Sequence, residues 1–174
     1  MEGETIVTIV AIFLAAILIG IFPLMSIAER NDDISQLSIQ TSISEFVDKV
    51  RKTGKITQTD YDALVAALYA TGNTYDITVE IQILDENPSK KTTQTDETKI
   101  GENVYYSVYT TQIESELKKS SKYVLKAGDI ITVSATNTNN TISQMLKNFF
   151  YGLSGNSAYK IDASQSGVVA VTGS

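Results

Sequence analysis

The sequence predicts an α+β protein. An N-terminal transmembrane helix continues into an amphipathic stem helix, and a small antiparallel sheet of about three strands follows, with helices on one face. Three observations predict it. Thr5 to Ala28 is a run of 24 residues without a charge. Apolar residues then recur at helical spacing as far as Val50. Beyond Gly72 the period changes to two in YDITVEIQI, and strand and helix patterns alternate from there.

A helix of 24 residues rises roughly 36 Å, enough to cross a hydrocarbon core of about 30 Å. After Thr5 at its start, only Thr8 and Ser26 in the run are polar, so apolar surface from residues such as Ile6, Ile9 and Phe13 covers the helix all round. Pro23, near its end, is tolerated in a membrane helix. A cleaved secretory signal is the competing reading, because Ser26-x-Ala28 resembles a small-x-small cleavage site. The run is too long for a signal, and Glu2 and Glu4 stand where a signal carries positive charge. Residues 1–30 are therefore expected to be a retained transmembrane anchor, and residues 31–174 an extracytoplasmic stem helix and α+β domain. Arg30 is the one basic residue near either end, and Glu29, Asp32 and Asp33 suit an outer face. The expected location is a bacterial cytoplasmic membrane, N-terminus inside, with the C-terminal domain extracytoplasmic or at the cell surface.

Past the anchor, Ile34, Leu37, Ile43, Phe46, Val47 and Val50 predict one apolar stem face, with Gly54 as the C-terminal cap. Tyr61, Leu64, Val65, Leu68 and Tyr69 mark a second helix. Thr57, three residues before Asp60, is its N-cap, and Gly72 closes it. Tyr75, Ile77, Val79, Ile81 and Ile83 form one face of a half-buried strand. DENPSKKTTQTDETKIGEN, residues 85–103, has almost nothing to bury and reads as a long exposed loop. Tyr105, Tyr109, Ile113 and Leu117 are four apart and predict a helix over 104–117, although YYSVY alone suits a strand. A turn at Lys126–Asp129 leads to a strand with Ile131, Val133 and Ala135 inward, and Asn137–Asn140 is a polar turn. Ile142, Met145, Leu146, Phe149, Phe150 and Leu153 mark a further amphipathic helix. Tyr159 to Val171 reads as a last strand, bulged near Gly167.

Composition removes most chemistry. The net charge is −6 and no basic cluster exceeds two residues, which argues against a nucleic-acid partner. With no cysteine and no histidine, disulfides, thiol catalysis, the usual general base and the commonest metal ligand are excluded. No cofactor and no enzymatic activity is expected. Ser89-Lys90 are neighbours in an extended loop and point apart, so they make no dyad. Asp60 and Asp62 fit a helix first turn, where they complement the positive helix end. The pairs Asp85-Glu86 and Asp96-Glu97 match no calcium loop. Asn139-Asn140-Thr141 is a glycosylation sequon, a pattern frequent by chance. Most of the nine tyrosines fall at periodic positions and are expected in the core.

A membrane helix running into a stem and a small α+β domain, then GDIITVSATN, TISQMLKNFFYGL and YKIDASQSGVVAV as strand, helix and strand, resembles the TadE-like pseudopilins of tight-adherence (Tad/Flp) pilus machinery. The resemblance implies a non-enzymatic, single-pass pseudopilin-like subunit of such a pilus or a related secretion apparatus. Its partners would be the membrane and other pilin-like subunits or assembly-platform proteins, with a homo-oligomer also open. It also implies a processing site at Gly3-Glu4; a cut there leaves Thr8 at the fifth position, where the family carries Glu. Ala15, Ala16 and Gly20 would allow close helix approach in the membrane. Two other readings stand beside it. One is a major filament subunit with the N-terminal helix as filament core; the other is a membrane-anchored extracellular binding module using loop 85–103.

Overall fold

A computed structural model describes residues 2–85, 105–151 and 160–174. Helix α1 (Glu2–Ala16) passes through a π-helical turn, Ile17–Ile21, into α2 (Phe22–Thr53). The wide turn sits just ahead of Pro23, which has no N–H to close an ordinary turn. Within this helix Gly3–Thr53 is long and apolar enough to cross a membrane, and its apolar window is entirely unburied. Ile6, Ile9, Phe13, Ala16, Gly20 and Pro23 are all exposed along it, and Gly3 and Glu4 lie in its first turn.

The rest of the chain is an α+β domain built against α2. After β1 (Lys55–Thr57) come α3 (Gln58–Tyr69), β2 (Tyr75–Leu84), β3 (Tyr105–Tyr109) and α4 (Thr110–Ser120). Then follow β4 (Lys122–Val124), β5 (Ile130–Asn137), α5 (Ile142–Tyr151) and β6 (Asp162–Val168). The main sheet is antiparallel, in the order β3-β2-β5-β6, and β1 pairs with β4 in a separate ribbon. Four strands and a ribbon thus stand where about three strands were expected; three-residue strands are too short to show an alternation.

Strand parity does the sorting. Val79, Ile81, Ile131, Val133, Ala135 and Ala163 turn inward onto Ile39, Ile43, Val47 and Val50 of α2 and Ile113 and Leu117 of α4, forming one buried cluster. The outer face carries hydroxyls and acids, with Thr132 bonded to Ser166 and Thr136 donating to Asp162, each at 2.9 Å.

Several local expectations hold. Gly54 caps α2 at φ 65°, and its N–H donates to the Val50 carbonyl at 2.8 Å. Thr57 Oγ1 accepts the Asp60 N–H at 3.2 Å as the N-cap of α3. Thr57→Ala should therefore lower stability by about 1 kcal/mol, read from the denaturation midpoint.

Others are corrected. Residues 105–109 form a strand rather than the first turns of a helix. Tyr and Val favour the pleated surface, and β2 offers an edge on which Leu84 meets Tyr105 and Glu80 meets Tyr109. The helix starts at Thr110, where the Gln112 side chain accepts the Tyr109 N–H at 3.0 Å. The last strand is shorter than expected and not bulged: β5 and β6 pair one to one from Ile130–Val168 to Thr136–Asp162. Gly167 serves instead to let the Arg51 side chain cross the strand, in space a Cβ would occupy. Of the tyrosines, only Tyr61 and Tyr75 are buried among the described side chains, whereas Tyr69, Tyr105, Tyr106 and Tyr109 are exposed. Loop residues 86–103, including Ser89-Lys90, Glu86 and the Asp96-Glu97 pair, lie outside the described residues, as do Leu153, Tyr159 and the side chains of Phe149 and Phe150.

Candidate assembly surface

The stem helix presents two different faces. Ala28, Ser35, Ile39, Ile43, Phe46, Val47 and Val50 are buried against the domain. Their steps of three and four, with one of seven and the adjacent pair Phe46-Val47, keep them on one side. Ile43, Phe46 and Val50 were expected there. Ile34 and Leu37 were expected there too, and the structure places them elsewhere: they are 58% and 69% exposed. At 100° per residue Ile34 lies about 180° from Ile43 and about 20° from Ile27, which is 61% exposed, while Leu37 lies about 160° from Ile39 and about 80° from Ile27. The sequence reading missed Ile39 and Ser35 as members of the buried face. The regular steps Ser35, Ile39, Ile43, Phe46, Val50 could have revealed both.

The direction of this second stripe is fixed by how α2 is fastened. Edge strand β6 lies along the helix and is held at both ends by its side chains. Near the base, the Gln36 amide accepts the Asp162 N–H at 3.0 Å and donates to the Asp162 carbonyl at 2.5 Å. Near the top, Arg51 Nε donates to the Val168 carbonyl at 3.0 Å. On the α3 side, Lys49 pairs with Asp60 at 2.5 Å. The buried row Ile39, Ile43, Val47 and Val50 and these three attachments hold one side of the helix to the domain, and Ile27, Ile34 and Leu37 point away from it.

Asp60 adds a pH dependence. Burial alone would raise its carboxyl, but hydrogen bonds from Lys49 and Thr57 and the Lys49 charge together hold it below its ordinary 3.8. A carboxylate depressed on folding contributes stability above its unfolded value, and that contribution is lost as pH falls through the folded one. Asp60→Asn should therefore lower the melting temperature at pH 7, and the difference from wild type should close as the pH drops below 3.8.

The stripe follows the apolar segment Thr5–Ala28, with exposed Arg30 and Asn31 in the turn between Ile27 and Ile34. Leu24 and Ile27 precede it, and beyond Leu37 the outward positions Ser38, Thr41, Glu45 and Asp48 are polar. It therefore extends nine residues past Ala28, roughly 14 Å along the axis. An exposed apolar row of this kind on a rigid helix fits another apolar helix running alongside.

Among the described residues nothing comparable gathers for catalysis. Among the described residues no group of three or more His, Cys, Asp or Glu is placed to hold a metal ion. The cleft between α2 and α3 is lined by Ser42, Glu45, Phe46, Lys49, Asp60 and Leu64, and its two acids and one lysine include the pair that fastens the helices. The sequon asparagine is already committed. Asn139 Oδ1 accepts the Thr74 N–H at 2.8 Å, and its Nδ2 donates to Asn73 Oδ1 at 3.0 Å. The buried Tyr61 hydroxyl donates to Glu114 at 2.7 Å; burial and that carboxylate raise its pKa, which keeps it a neutral structural group.

No family model, curated protein or solved structure matches this chain.

Proposed function

We propose that the protein is a non-enzymatic, single-pass membrane subunit of a Tad/Flp-type pilus or a related secretion apparatus, held by residues 1–30 with its α+β domain outside the cell. One observation carries the reading: the Ile27, Ile34 and Leu37 row leaves the anchor on the face of the stem that the domain does not cover. A simple tether has no use for such a row, because exposed Ile and Leu on a helix in water gain nothing until another apolar surface covers them. A subunit that packs stem to stem does. The partners are then other pilin-like helices or a platform protein in the membrane.

Fractionation of native cells, with the intact mass of the protein in each fraction, tests this. Recovery from membranes and sheared surface filaments, at full mass or cut after Gly3, supports it. Soluble protein in the medium that lacks residues 1–28 would remove both the anchor and the assembly role. Abundance separates a minor subunit, scarce in filaments, from a major one.

A further inference from the structure

The first turn of helix α5 is inside out for a helix in water. It buries Ser143 and Gln144, which are 1% and 4% exposed, and turns Ile142 and Met145 outward at 57% and 53%. The sequence pattern placed Ile142 and Met145 on the apolar face of an amphipathic helix. Ser143 Oγ and Gln144 Nε2, moreover, have no hydrogen-bond partner among the described residues. Gln144 is buried as the N3 partner of a capping box, its Oε1 accepting the Thr141 N–H at 3.1 Å while Thr141 Oγ1 accepts the Gln144 N–H at 3.2 Å; the exposed Ile142 and Met145 oppose the usual partition unless the outer face is not in water.

The contacts of α5 indicate what covers it. Thr141 Oγ1 donates to Asp32 at 2.8 Å, and Lys147 Nζ meets Glu29 at 3.0 Å. Glu29 is the first charged residue after the 24-residue uncharged run. Passing from Thr141 to Lys147, the chain thus descends from the level of Asp32 to the level where the anchor begins. Ile142 lines a largely polar cleft with Asn31, Asp32 and Ser35, whose lower end is Ala28, the last residue of that run. Beyond Lys147 the helix has four more residues, roughly 6 Å, and they read Asn148-Phe149-Phe150-Tyr151. Aromatic residues and a one-sided apolar helix are what the bilayer interface favours.

From this placement we infer that α5 is an interfacial helix, resting its Ile142–Met145 face on the lipid surface beside the anchor. The inference depends on residues 1–30 being in the membrane. It gives the rigid unit of stem and sheet a second attachment to the bilayer, beside the anchor.

The absence of cysteine allows single spin labels at Ile142→Cys, Met145→Cys, Phe13→Cys and Ser166→Cys in the full chain. In vesicles of phosphatidylcholine and phosphatidylglycerol, oxygen concentrates in lipid and a nickel chelate stays in water. The ratio of oxygen to nickel accessibility at positions 142 and 145 should approach that at 13 and exceed that at 166 several-fold. If 13 lies in lipid but 142 and 145 match 166, the interfacial helix is wrong and the anchor stands. Labels at 142 and 145 shielded from both reagents would also overturn it, in favour of a protein contact on this face. A label at 13 in water would remove the anchor and the inference together.

Discussion

Ile43→Ala should cost the domain about 2–5 kcal/mol, whereas Leu37→Ala, six residues away on the same helix, should change it by less than about 0.5 kcal/mol. Ile43 is fully buried in the cluster shared by the stem, the sheet and α4. Truncating it removes transfer energy and leaves a cavity that a stem fastened at Gln36, Arg51 and Lys49 cannot collapse to fill. Small domains have only about 5–15 kcal/mol in total, so the loss is a large part of the whole. Leu37 has little to lose, because water already surrounds most of it. Urea denaturation of the full chain in mild detergent, comparing midpoints at constant slope, reads both values. Equal losses at the two positions would mean that the stem does not have one structural and one free face.

The same asymmetry should invert in assembly. Ile34→Glu combined with Leu37→Glu should leave folding and membrane insertion intact and remove the protein from sheared filaments. An unpaired charge forced into a helix contact costs several kcal/mol, and each 1.4 kcal/mol is about tenfold, so incorporation should fall by about a hundredfold or more. Quantifying the variant in membrane and filament fractions separates this outcome from simple instability. An unchanged filament fraction would show that the exposed row is not an assembly contact.

What the sequence made legible follows from which physical signals are local. The α3 cap at Thr57 and the stop at Gly54 are written in side chains a few residues apart, and so they could be read. The alternation in β2 and β5 was equally plain, because one face of each strand meets the core and the other meets water. The assignment failed where one pattern served two surfaces. Apolar residues of α2 occupy both sides of the helix, and periodicity alone does not say which side the domain takes. That choice was made at long range, by Gln36 and Arg51 gripping β6 more than 100 residues away in the chain. The same ambiguity hid the orientation of the first turn of α5, where Ile142 and Met145 are exposed and Thr141 and Lys147 are held by Asp32 and Glu29. Strand β3 was read as helix because four-residue spacing ran across a boundary that is set by pairing with β2.

The central claim is that the stem packs against another helix through Ile27, Ile34 and Leu37. It is tested most directly by a photoreactive residue at position 37 in native cells, with position 166 on the outer sheet face as the comparison, and by identifying the adducts by mass spectrometry. The account predicts adducts at 37 to the stem helix of a second copy or of another single-pass pilin-like protein, and none of that kind at 166. Adducts to lipid alone at 37, or the same protein partners at both positions, would contradict it.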